Sequence, residues 1–125
     1  MSHVSQLSPP ILPSLVVKIE AADKVSFAGT IATPNPSGDL GGFFKALHAA
    51  VVADGLSAID IDVTKLTFVN SSAIRLLVDW STWVRKDDER RRYQLRFLTN
   101  PQITWQKTSL PVLRNLAPGI VVMEP

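Results

Sequence analysis

Residues Ala58–Trp80 read AIDIDVTKLTFVNSSAIRLLVDW, and the fold turns on how that run divides. In its first part Ile59, Ile61 and Val63 alternate with Ala58, Asp60 and Asp62, the period-two pattern of a strand with one face in a core. KLTFVN (65–70) continues extended. From Ser71 to about Asp88 the period becomes helical, with Ala73, Ile74, Leu77, Val78, Ser81 and Val84 in one arc. Asn70 has the side chain of a helix N-cap, which puts Ser71 and Ser72 in the first turn. A strand that runs into a helix is half of a crossover unit, and crossovers join parallel strands.

The pattern extends in both directions. SLVVKIE (14–20) and KVSFAGTIA (24–32) read as a hairpin around the turn AAD, and TPNPSGD (33–39) breaks regular structure with two prolines and a glycine. DLGGFFKALHAAVVADG (39–55) sets Leu40, Phe43, Phe44, Leu47 and Val51 on one helical face, with Asp39 as its cap and Gly55 as its end. After the central helix, YQLRFLT (93–99) alternates as a strand. NPQITWQKTSLPVLRNLAPG (100–119) holds a helix, for which Ser109 offers a cap and Pro111 a first-turn proline. GIVVM (119–123) is a short buried strand. The reading is an α/β domain over 14–125 with a mixed, mostly parallel sheet and helices mainly on one side. Residues 1–13, with Pro9, Pro10 and Pro13, form a flexible leader or one laid on the surface.

Composition narrows the function classes. At 125 residues with 46% hydrophobic and 19% charged residues, the chain suits one globular domain. It has no cysteine, so disulfides and thiolate metal sites are excluded. A net charge of +2 is too small to argue for nucleic acid, and the mixed-sign VRKDDERRRYQ (84–94) reads as a solvated helix end and turn. No apolar run reaches the length of a membrane span. A cytoplasmic domain without membrane insertion is expected. His3 and His48 have no companion at metal-ligand spacing, and no phosphate-binding glycine loop is present, so neither metal nor cofactor is expected. Asp60 and Asp62 share a strand face, where ordinary polar roles outweigh acid–base work.

The serine pair is the feature with chemistry. Backbone N–H groups in a first helical turn lack helical partners, and the helix dipole gives that end partial positive character. A phosphate on either hydroxyl would be accommodated there and would add nearly two negative charges. The plain alternative is capping chemistry alone. Along the helix, Leu76, Trp80 and Trp83 widen the apolar sector to roughly 220° at ~100° per residue. That excess leads either to a neighbouring helix or to an exposed patch holding Trp80 and Trp83.

The run AIDIDVTKLTFVNSSAIRLLVDW, with LTNPQI (98–103) in the place before a late helix, resembles the central signature of STAS domains. These are the anti-sigma-factor antagonists and the C-terminal domains of sulfate transporters. The resemblance extends from about Ser14 to Met123. It implies a non-enzymatic partner-switching protein that binds a serine kinase of the anti-sigma-factor type, with ATP supplied by that partner. It further implies that phosphorylation falls on Ser71, with Ser72 the second choice. Asn70, Ser72, Ala73, Arg75, Asp79 and Trp83 are then the loop and partner-binding residues. Asn70 stands where the family usually has Asp, and Ala73 where it usually has Gly. The alternatives are a STAS subunit of a transporter or lipid-trafficking complex without a phosphoswitch, a hydrolase pairing Ser71 with His48, and a small-ligand sensor with a cavity beneath Trp80. A homodimer through the same patch is compatible with this reading.

Overall fold

The computed structural model describes residues 2–32 and 39–124. The 33–38 breaker and the side chain of Asp39, offered above as a cap, lie outside the described residues. The five strands are β1 (Leu15–Ala21), β2 (Lys24–Ile31), β3 (Ala58–Val69), β4 (Gln94–Leu98) and β5 (Val121–Glu124). The three helices are α1 (Asp39–Asp54), α2 (Ser71–Lys86) and α3 (Thr104–Leu116).

The strands form one sheet in chain order, β1-β2-β3-β4-β5, antiparallel at the opening hairpin and parallel thereafter. Three crossovers all step in the same direction along the sheet, and the right-handed rule for such connections stacks their helices on one side. The burial pattern agrees. Val17, Phe27, Ile61 and Phe97 are buried on the helix side, and Ile61 pairs in register with Val25 and Phe97. The opposite face carries Lys18, Glu20, Asp60, Asp62 and Arg96, which are exposed or half-buried. The expected one-sided α/β architecture is therefore what the chain adopts.

β3 is longer than a plain alternation allows. Its register against β2 slips between Ser26 and Ala28 and again between Gly29 and Thr30, so β3 carries an extra residue at each point. Each bulge resets the pleat. The buried positions accordingly run Ile59, Ile61 and Val63, then jump by three to Leu66 and Val69, while Phe68 turns outward. Beside the bulges, Gly29 has φ +107°, and a Cβ there would lie 2.2 Å from the Ser14 carbonyl oxygen. Only glycine fits that crossing.

α1 buries the residues its periodicity marks: Leu40, Phe43, Phe44, Leu47 and Val51. It ends as expected at Gly55, with φ +65°. The Gly55 N–H donates to the Val52 carbonyl and the Leu56 N–H to the Val51 carbonyl, at 3.1 and 3.3 Å, the two bonds of a Schellman motif.

α3 differs from expectation. It starts at Thr104, so Ser109 is not its cap and Pro111 sits in the helix interior. The reason is a set of long-range bonds at its first turn. Trp105 Nε1 donates to the Leu66 carbonyl at 2.7 Å, and Gln106 Nε2 donates to the Val63 carbonyl at 2.6 Å. Gln106 Oε1 in turn accepts the Asn100 N–H at 2.7 Å. These bonds fix the helix start on β3, and the lost N–H of Pro111 is tolerated within the helix.

The first residues of the leader are docked. Val4, in a short 3-10 turn Val4–Gln6, is 0% exposed. The Asp54 carboxylate at the end of α1 accepts from the His3 N–H (2.8 Å), the Val4 N–H (3.1 Å) and the Ser2 hydroxyl (3.1 Å). Those bonds, the His3 backbone first, hold Asp54 well below the usual carboxylate range.

Candidate functional site

The junction between β3 and α2 is built by Asn70. Its N–H donates to the Ile31 carbonyl at the end of β2 (2.9 Å), its side-chain Oδ1 accepts the Ala73 N–H (2.9 Å), and its carbonyl accepts the Ile74 N–H (3.1 Å). This is the N-cap geometry read from the sequence. The Asn70 backbone is extended, with φ −82° and ψ 173°, so the chain leaves the sheet edge and turns at once into the helix.

Ser71 and Ser72 are both exposed in the first turn of α2. Neither hydroxyl is hydrogen-bonded to another described residue, and no acidic side chain lies in that turn. Ser71, Arg75, Asp79 and Trp83 recur every four residues and so form one ridge along the outer surface of α2. Ser71 and Arg75 are exposed at its start, and Asp79 and Trp83 are half-buried further along. Ala73, grouped above with the partner-binding residues, is 2% exposed and faces the core. It supports the junction from beneath.

The centre of the buried arc of α2 also differs from the sequence reading. Ala73, Leu76, Trp80 and Val84 are buried, while Ile74, Leu77 and Val78 flank them half-buried. α2 is the middle helix, in contact with α1 on one side and α3 on the other. On the α1 side the Trp80 ring stacks on Phe44 at 5.1 Å, and Trp83 meets His48 at 6.0 Å. On the α3 side Arg85 Nη1 reaches the Leu116 carbonyl at 3.4 Å. The wide apolar sector thus serves two neighbouring helices. Trp80, at 0% exposed, belongs to the core and not to an exposed patch.

Trp80 brings with it polar partners that sequence reading missed. Its Nε1–H donates to the Tyr93 hydroxyl at 2.8 Å, and that hydroxyl lies 2.7 Å from His48 Nδ1. His48 Nε2 faces Asp87 Oδ2 at 3.9 Å. Burial pushes the Tyr93 phenol above its ordinary range, so it stays a neutral O–H. Burial also lowers His48 from its ordinary value, with Asp87 opposing. His48, Trp83 and Asp87 border a shallow surface cleft with Lys45 and Lys86. The signal available in sequence was a His on α1 beside the apolar stripe, but its partner Tyr93 is 45 residues away.

Three alternatives meet this geometry directly. Ser71 and Trp83 are separated by 12 residues of helix (83 minus 71), or about 18 Å along the axis. His48 sits at the Trp83 end, so the Ser71–His48 pair a hydrolase would need is not formed. The Asp60 and Asp62 carboxylates are engaged by near neighbours: Arg96 Nε lies 3.4 Å from Asp60, and the Thr64 N–H and hydroxyl donate to Asp62. The apolar cavity bordered by Phe27, Phe44, Ile61, Val69, Ala73 and Leu77 is about 10 Å³ and is not lined by Trp80, with room for roughly one water probe. Among the described residues no cluster of ligating side chains could hold a metal ion, and no helix is long and apolar enough to cross a membrane.

Neither a model of a known protein family nor a curated protein matches the chain. Among solved structures, the crystal structure of an anti-sigma factor antagonist from Mycobacterium paratuberculosis is similar to it. The two are 22% identical with a TM-score of 0.56, over 89% of this chain and 88% of the other. The likeness spans nearly the whole chain and shows a shared fold, the α/β arrangement that the STAS resemblance implies.

Proposed function

We propose that this protein is a regulatory binding module of the partner-switching type, and that Ser71 is its switch. A serine kinase of the anti-sigma-factor type docks over the first turns of α2. It transfers the γ-phosphoryl group of its own ATP to Ser71 Oγ; the hydroxyl proton is lost to solvent or a kinase base, and ADP leaves. The added charge then ends the complex.

The observation that carries this reading is the exposed Ser71 hydroxyl, without a described hydrogen-bond partner, at the head of a ridge that continues through Arg75 and Asp79 to Trp83. Asn70 supports it as well. Its amide caps the helix as an aspartate would but brings no negative charge to oppose a phosphate. Arg75, one turn on, supplies a cation within reach of that phosphate. The fold shared with an anti-sigma factor antagonist is the kind that such switches use.

The test is co-expression with a serine kinase of that type from the same genome. Intact mass should gain one phosphate in the wild type and in Ser72→Ala, and none in Ser71→Ala. A stable complex with unchanged mass removes the phosphoswitch and favours a constitutive subunit of a larger assembly. With neither complex nor phosphate, the whole reading fails.

A further inference from the structure

The chain of hydrogen bonds from Trp80 through Tyr93 to His48 runs from the core to the surface and has one direction. Trp80 Nε1 can only donate, so the Tyr93 oxygen accepts from it at 2.8 Å. The Tyr93 hydrogen is left for His48 Nδ1 at 2.7 Å, and Asp87, 3.9 Å from His48 Nε2, favours the tautomer with its ring proton on Nε2 that such acceptance needs. The indole N–H and the phenol hydroxyl are then both satisfied, although Trp80 is 0% and Tyr93 3% exposed.

A second proton on His48 breaks that order. Nδ1 becomes a donor, and the Tyr93 oxygen receives two N–H groups while its own hydrogen loses its acceptor in a buried site. We infer that His48 is an acid-sensitive latch between α1 and α2: its protonation reverses the His48–Tyr93 hydrogen bond and loosens the packing around Trp80 and Trp83. Titratable or charged groups from each adjoining element face it: Lys45 from α1, Lys86 and Asp87 from the end of α2, and Tyr93 ahead of β4. Burial opposes a further positive charge and lowers His48 below its ordinary value, while Asp87 at 3.9 Å acts against it.

The sign follows. Between the ordinary imidazole value of about 6.5 and the lower folded value, the unfolded chain binds the proton and the folded chain does not. Stability from the latch is therefore complete above about pH 6.5 and declines as pH falls towards the folded value. The latch itself is a property of the free protein. Only its consequence, a change in the Trp83 half of the α2 ridge, rests on that ridge being the binding face.

NMR titration of the free, full chain tests it between pH 8 and 5. The His48 ring should titrate with a midpoint below about 6.5, and the Trp80 indole N–H resonance should shift with the same midpoint. In His48→Gln, whose amide oxygen can accept the Tyr93 O–H without titrating, the Trp80 shift should vanish; in His3→Gln it should persist. A Trp80 resonance that stays still while His48 titrates in the wild type overturns the latch, whether or not the variants fold. So does a shift that survives in His48→Gln. Phosphate on Ser71 does not enter these outcomes, so they leave the switch reading untouched.

Discussion

The two halves of α2 solve opposite problems. Its first turn is capped by Asn70, which also bonds one carbonyl of β2, and it leaves two hydroxyls in water. Its second half sinks an indole into the core and matches that indole's N–H to a phenol from a different segment. One helix thus has an end with two hydroxyls that pack against nothing and an end that the fold cannot lose. Residues that stability does not require are free to serve at the surface, and the proposed switch at Ser71 is placed among them.

Three substitutions test the contrast. The largest effect belongs to the buried half. Trp80→Ala leaves a cavity against Phe44 and strips the Tyr93 hydroxyl of its donor, and should cost about 3–5 kcal/mol in chemical denaturation. A loss below about 1 kcal/mol would mean that Trp80 is not the anchor. Asn70→Ala removes the cap of the exposed half and should cost about 1 kcal/mol by the same measurement, with the helix start fraying in amide exchange. Ser71→Ala should change stability by less than about 0.5 kcal/mol while abolishing phosphate uptake from the kinase. If Ser71→Ala proved as destabilising as Asn70→Ala, the hydroxyl would be structural and the two halves of α2 would no longer differ in kind.

The legible parts of the fold were those whose signals are local. The face of α1, the glycine that ends it, the Asn70 cap and the change of period at residue 70 all depend on neighbours a few positions away. The start of α3 was not legible, because no side chain caps it at Ile103. Instead Trp105 and Gln106 reach carbonyls of β3 some 40 residues back. Trp80 was ambiguous for the same reason. An indole on a wide apolar arc reads as core or as patch until Tyr93 and Phe44 are known to meet it. Of the candidate site, the exposure of Ser71, Ser72 and Arg75 and the cap at Asn70 follow the sequence, whereas Ala73 turned inward because it lies on the same face as Leu76 and Trp80. The docking of Val4 against Asp54's end of α1 depends on a contact 50 residues long, which no periodicity reports.

The paired bulges of β3 determine where the serines can stand at all. They let this strand spend two more residues than β2 does over the same stretch of sheet. Asn70 arrives at the rim beside Ile31 with its side chain aimed along the new helix. Excising one of the extra residues would remove a bulge, and with it the local bend and added twist that set the direction in which β3 delivers Asn70. In this protein the address of the proposed switch is written as an irregularity in the strand before it.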